Sequence, residues 1–175
     1  VDRDRVRIVP NMVDTRFFRL PPEERRPRPF RFFALAHLQP WKGMEVLLRA
    51  FARSFRSAPE VQLTIGGDGP ERERLRALAR RLSIAPQVTF AGRLTRRAVR
   101  AALWQANAFV HPSFEETFGV VLIEAMATGL PVVATACGGP EDIVTSATGT
   151  LVPPRDAEAF ARAMQELYDT VDRYD

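Results

Sequence analysis

The sequence predicts an α/β domain built on a doubly wound parallel sheet of about six strands. Short apolar runs alternate along the chain with longer segments whose apolar residues recur at helical spacing. That alternation marks consecutive βαβ units, in which each helix carries the chain back to start the next parallel strand. The size agrees: 175 residues, 46% hydrophobic and 26% charged, suit one domain with a substantial core.

The elements follow in order. Residues 1–9 read as a short extended lead-in and LPPEERRPRP (20–29) as a proline-rich, charged loop, so 1–29 form a hinge lead-in and linker and 30–175 the domain. FRFFALAHL (30–38) is the first strand, and GMEVLLRAFARSFR (43–56) is a helix with Val46, Leu47, Ala50, Phe51 and Phe55 on one face. VQLTIGG (61–67) is a strand, followed by the helix of DGPERERLRALARRL with Asp68 or Gly69 at its cap and Pro70 in its first turn. QVTFAG (87–92) is the next strand, and TRRAVRAALWQA (95–106) is a helix capped by Thr95. AFVHPS (108–113) ends a strand, FGVVLIEAMATG (118–129) is a helix closed by Gly129, and LPVVAT (130–135) is a buried strand. After a turn at GGPE, GTLVP is a short strand and DAEAFARAMQELYD (156–169) the last helix. Nothing repeats beyond this βα alternation.

Composition narrows the function classes. Arg49, Glu124 and similar residues keep every apolar run short of the ~18 to 20 residues of a membrane helix, and Cys137 as a single cysteine gives no internal disulfide. The expected location is cytoplasmic, with contact between the arginine-rich face of 71–82 and anionic lipid as the membrane-peripheral alternative. The formal net charge of +4 comes from basic residues interspersed with acids, as in ERERLRALARRL, so no nucleic-acid surface is expected. Of 25 basic residues, 24 are arginine, which singles out Lys42.

The densest candidate site is EETFGVVLIEAM (115–126). A loop that leaves a strand and enters a helix near Phe118 points unpaired amides of Phe118, Gly119 and Val120, and the positive end of the helix dipole, at the cleft: an anion site. Glu116 precedes the helix, and Glu124 lies six residues past Phe118, roughly 9 Å along its axis at ~1.5 Å per residue. Carboxylates accept hydrogen bonds from vicinal hydroxyls. A ligand with a sugar, a central diphosphate and a ribose satisfies both acids and the helix start. Glu115 reads as solvent-facing.

The segment from Glu116 to Glu124 resembles the E-x7-E signature of retaining glycosyltransferases of the GT-B fold. From about Arg7 to Glu166 the chain is similar to the carboxyl-terminal, donor-binding domain of glycosyltransferase family 4. IVPNMVDTRFF, AHLQPWKGMEVLLRAF, LTIGGDGPERERL, VTFAGRL and EETFGVVLIEAMATGLPVVATACGGPEDIV with TGTLVPPRD carry the resemblance in order.

The resemblance implies a Rossmann-like half of a GT-B enzyme of hexosyltransferase type. It implies a nucleotide diphosphate sugar as donor, Lys42 and Glu116 as the catalytic pair, and Thr117, Phe118 and Gly119 beside the donor sugar. The amides of Val120 and Val121 would face the diphosphate, Glu124 the ribose, and Gly92, Arg93 and Leu94 the base. A helix start plus a cation can stabilise a leaving diphosphate without metal, and no Asp-x-Asp or His/Cys cluster within the motifs that carry the resemblance suggests a metal. The acceptor would be held by an amino-terminal domain outside this sequence, so the chain alone is expected to bind nucleotide but transfer little.

Two positions depart from the family pattern: His37 stands where arginine is common, and Met12 follows Asn11 in the hinge. A histidine is mostly neutral at pH 7, so donor affinity through His37 is expected to rise as pH falls from about 8 to 6. His111 reads as a strand-end packing residue, and Glu141 in GGPED as bordering the cleft or capping the next turn. A dinucleotide-dependent oxidoreductase fits less well, because GDGPER lacks the third glycine of that fingerprint; a non-enzymatic nucleotide-binding module is the other alternative.

Overall fold

A computed structural model describes residues 11–23 and 29–171 of the chain. Its centre is β1 (Phe30–Leu35). Phe30, Phe32 and Ala34 face one layer and Phe33 the other, all buried. A strand buried on both faces has to lie inside a covered parallel sheet. The sheet has six strands in the order β3-β2-β1-β4-β5-β6, with β2 (Val61–Gly66), β3 (Val88–Gly92), β4 (Ala108–His111), β5 (Val132–Thr135) and β6 (Gly149–Val152). Every neighbouring pair is parallel. The doubly wound sheet expected from the sequence is therefore present.

Helices cover both faces. On one side α1 (Met44–Phe55), α2 (Arg72–Arg81) and α6 (Ala157–Thr170) close a core around Phe32, Phe51, Phe55 and Phe160. Phe55 stacks on Phe32, Phe51 and Tyr168 with ring centroids 5.4 to 5.6 Å apart. On the other side α3 (Arg96–Gln105) and α4 (Val120–Ala127) pack Leu103 and Leu122 against Phe33 and Phe109. The strand order reverses between β1 and β4, and at such a switch point the loops leaving the carboxyl ends of the two strands diverge and open a crevice.

Several boundaries differ from the sequence reading. The helix expected from Phe118 begins at Val120, because Gly119 takes a left-handed conformation (φ 95°) and acts as N-cap. The helix expected from Pro70 begins at Arg72: the Leu38 N–H donates to Asp68 O (2.9 Å) and the Glu71 N–H to Leu38 O (3.2 Å), so residues 68–71 are bound to the β1 loop first. The GGPE turn opens a short helix, α5 (Gly139–Ile143), where Glu141 caps by accepting from the Gly138 N–H at 2.8 Å. Thr95 caps α3 as expected, accepting from the Ala98 N–H.

Residues 1–9, and 24–28 of the proline-rich loop, lie outside the described residues. Asp14 accepts from the Arg16 and Phe17 amides, turning the chain so that Phe18 enters the second core at 1% exposure. The guanidinium groups of Arg96 and Arg100 each lie 4.3 Å from the Phe17 ring centre, and Trp104 Nε1 donates to Arg19 O at 2.7 Å. Residues 14–19 are thus fastened to α3. Phe18→Ala is expected to destabilise the protein by about 3 kcal/mol, as loss of a core phenylalanine does, read from the urea midpoint. A change below about 0.5 kcal/mol, the size of a surface substitution, would contradict this anchoring.

Candidate functional site

The crevice is built where the loops after β1 and β4 meet. After β1 the chain runs through His37 to a 3₁₀ turn, Pro40–Lys42, that ends on Gly43 at φ 66°. A Cβ at this position would stand 1.9 Å from Pro112 O, so glycine alone allows the turn to lie against the chain leaving β4. The Phe114 N–H donates to Trp41 O at 2.8 Å and fixes the same approach. Lys42, on the docked turn, meets Glu116 across 74 residues of sequence: Nζ lies 2.8 Å from Oε2. The two side chains are 21% and 15% exposed, so the pair is largely screened from solvent.

Glu116 is fixed through its backbone as well. Its N–H donates to Cys137 O (3.1 Å), and its carbonyl accepts from the Gly139 N–H (2.8 Å). Gly139 is required there, since a Cβ would come within 2.5 Å of Phe118 backbone atoms. On the inner side His111, 2% exposed, places Nε2 3.5 Å from the same Oε2 that Lys42 holds, at the outer limit of hydrogen bonding. His111 first and then Lys42 hold the Glu116 carboxyl far below its ordinary range, at about 2, against the opposing effect of burial. Cys137 is half-buried, its thiol pushed up chiefly by burial, with Thr135 Oγ1 3.4 Å from its sulfur.

Beyond Glu116, Thr117 is exposed and Phe118 half-buried, and the chain enters α4 at Gly119. No side chain caps this helix. The Leu122 N–H bonds back to Gly119 O (2.8 Å), which leaves the amides of Val120 and Val121 without a partner inside the helix, at the positive end of its dipole. Glu124 follows on the next turn. It is half-buried, makes no hydrogen bond or ion pair among the described residues, and burial pushes its carboxyl up against the opposing charge of Arg96.

A cleft of about 300 Å³ lies beside this helix start, lined by His37, Asp68, Arg93, Leu94 and Val121, among others. Gly92 sits buried behind it, its carbonyl accepting from the Gly67 N–H at 2.7 Å. His37 donates from Nδ1 to Asp68 O (2.6 Å), and its Nε2 lies 3.1 Å from the Gln39 amide nitrogen. An anion at Nε2 would have to displace Gln39.

The structure therefore joins Lys42 to Glu116 directly and gathers His37, Arg93, Leu94 and Val121 around one cleft; Glu115 is exposed. The contact of His111 with Glu116 was missed in the sequence, where the only hint is that the two lie five residues apart at one strand end. Among the described residues, no group of three or more His, Cys, Asp or Glu is placed to hold a metal ion, and no helix is long and apolar enough to cross a membrane.

The family model "Glycosyl transferases group 1" matches residues 18–173. The chain is 33% identical over 167 residues to a glycogen synthase of Mycobacterium tuberculosis, covering 94% of this chain and 40% of that protein. It thus spans less than half the length of that relative. The sucrose-phosphate synthase of Thermosynechococcus elongatus superposes with a TM-score of 0.82 at 31% identity, covering 96% of this chain and 44% of that one. An Anabaena protein crystallised with UDP and glucose superposes with a TM-score of 0.76 at 27% identity, covering 83% of this chain and 40% of that one.

The Glu116 carboxyl makes the site sensitive to acid. A carboxyl whose pKa is lowered on folding stabilises the native state above its unfolded value, here about 4.5, and that contribution is lost as pH falls toward about 2. Glu116→Gln is expected to flatten the fall of stability between these two values, measured by urea unfolding at a series of pH values. An unchanged slope would contradict the pairing.

Proposed function

The chain belongs to the glycosyl transferases group 1 family, and on that premise we propose that it is the donor-binding half of an enzyme that moves a sugar from a nucleotide diphosphate sugar to an acceptor with retention. The observation that carries the reading is the Lys42–Glu116 pair, 2.8 Å apart, beside the uncapped start of α4. An anion-binding helix end, a cation and an ionised carboxylate converge there, the three groups a sugar diphosphate needs.

In this reading the amides of Val120 and Val121 and the Lys42 ammonium receive the diphosphate. The bond from the anomeric carbon to the diphosphate oxygen breaks, the acceptor oxygen bonds to that carbon, and the acceptor proton passes to the departing diphosphate. Negative charge grows on the leaving phosphate, and groups already aimed at it stabilise the transition state more than the ground state. The compensating charge comes from Lys42 and the helix start rather than from a metal ion. Glu116 accepts hydroxyls of the donor sugar, with Thr117, Phe118 and Gly119 beside it. Glu124, half-buried and unpaired among the described residues, accepts the ribose hydroxyls. Gly92, Arg93 and Leu94 border the base, and His37 lies between the base cleft and the Lys42 turn. The acceptor is bound by a further part of the full enzyme, so this chain alone binds the donor without sustained turnover.

A thermal-shift panel of UDP, GDP, ADP and their sugar conjugates identifies the donor, since a ligand that binds the native state raises its melting point. Glu124→Ala is then expected to weaken the best nucleotide about 10- to 100-fold, the effect of losing hydrogen bonds to a charged acceptor. Unchanged affinity in that variant, or no shift with any nucleotide, would overturn the assignment.

A further inference from the structure

His111 is the one member of the Glu116 cluster to which the proposed reaction assigns no part. Its side chain is 2% exposed, and Nε2 has no hydrogen-bond partner among the described residues. An orphaned buried ring nitrogen is destabilising and therefore needs a reason. It lies 3.5 Å from Glu116 Oε2, roughly 0.6 Å beyond a normal N–H···O length of about 2.9 Å. The backbone around it is rigid: His111 pairs with Ala134 in β5, and Thr135 Oγ1 donates to Ser113 O. The ring is thus held one short step from a carboxylate oxygen that Lys42 occupies at 2.8 Å.

The donor-binding reading places a second demand on Lys42. A diphosphate carries more negative charge than one carboxylate and draws the ammonium more strongly. Once Lys42 turns to it, Glu116 would be left as a largely buried carboxylate with only the long 3.5 Å approach of His111 to Oε2, free to rotate away from the sugar. Closing the gap to His111 restores that partner from the opposite side. We propose that His111 is a positioning residue that takes over Glu116 Oε2 from Lys42 when the donor diphosphate binds, keeping the other carboxylate oxygen aimed at the sugar. This rests on the donor-binding reading of the site.

The test is titration calorimetry of the chain with UDP against UDP-glucose and GDP against GDP-mannose, in the parent and in two variants. In His111→Gln the amide N–H reaches about where Nε2 now lies; in His111→Asn it stops at the position of Nδ1. His111→Asn is expected to bind the sugar nucleotide about tenfold more weakly while the bare diphosphate changes less than about twofold, and His111→Gln to recover most of the loss. Equal affinity in His111→Asn and parent, or equal losses for bare and sugar-bearing nucleotide, would overturn the proposal. If His111→Asn does not fold, nitrogen NMR of the His111 ring in the parent decides. Saturating the chain with the sugar nucleotide should move the Nε2 resonance as the hydrogen bond forms, and an unmoved resonance contradicts the transfer. A parent that binds none of the four ligands overturns the donor-binding reading and this inference with it, whereas binding that is indifferent to His111 overturns this inference alone.

Discussion

The contact between Lys42 and Glu116 is the constraint on which the rest of the site depends. It joins the loop after β1 to the loop after β4, the two adjacent strands at which the sheet order reverses. Lys42 sits on a single 3₁₀ turn whose approach requires a bare glycine against Pro112 O, and Glu116 sits on a loop tied to Cys137 and Gly139 through its backbone. Two largely buried charges that satisfy each other are tolerable; either one left unpaired costs several kcal/mol, roughly. The pair thus stores a demand for charge that an incoming anion and a hydroxyl-bearing sugar can meet together.

The sheet supplies the rigidity this requires. β1 is buried on both faces and pairs with β2 and β4, so the ends of three strands are fixed relative to one another before any loop is considered. Leu122 and Ala125 bury α4 in the second core, which fixes where its first amides point. The same core takes Phe18, so residues ahead of the first strand are fastened beside α3, whose first turn carries Arg96 near Glu124. The packing of Phe17 and Phe18 and the electrostatics of the candidate ribose carboxylate therefore share one helix.

Much of the fold was legible in the sequence because its parallel strands are short, largely apolar and separated by mostly amphipathic helices. Element order and sheet class follow from that pattern. The boundaries that shifted did so for local reasons that a hydrophobic pattern does not encode. Gly119 turns left-handed and delays α4, hydrogen bonds with Leu38 capture residues 68–71 before α2, and Glu141 caps a short helix within the expected GGPE turn. Phe17 and Phe18 stood among charged and proline-rich residues and read as part of a lead-in, although arginines of α3 stack on them. In the site, the helix start and the two glutamates were visible through spacing. Lys42 drew notice by composition and resemblance, but its distance to Glu116 depends on the docking of Trp41 and Gly43 on residues 112–114. His111 was hidden for a related reason: a buried strand-end histidine and a packing residue look alike until the neighbouring carboxylate is in place.

The central claim is that this crevice receives a sugar diphosphate by drawing Lys42 from Glu116 while the start of α4 takes the phosphates. A crystal structure of the chain with UDP-glucose, or with whichever sugar nucleotide binds best, tests it most directly. The diphosphate is expected within hydrogen-bond distance of the Val120 and Val121 amides, with Lys42 Nζ moved from Glu116 Oε2 onto a phosphate oxygen and Glu124 on the ribose hydroxyls. A nucleotide bound with its phosphates away from α4, and the Lys42–Glu116 contact still closed at 2.8 Å, would contradict it.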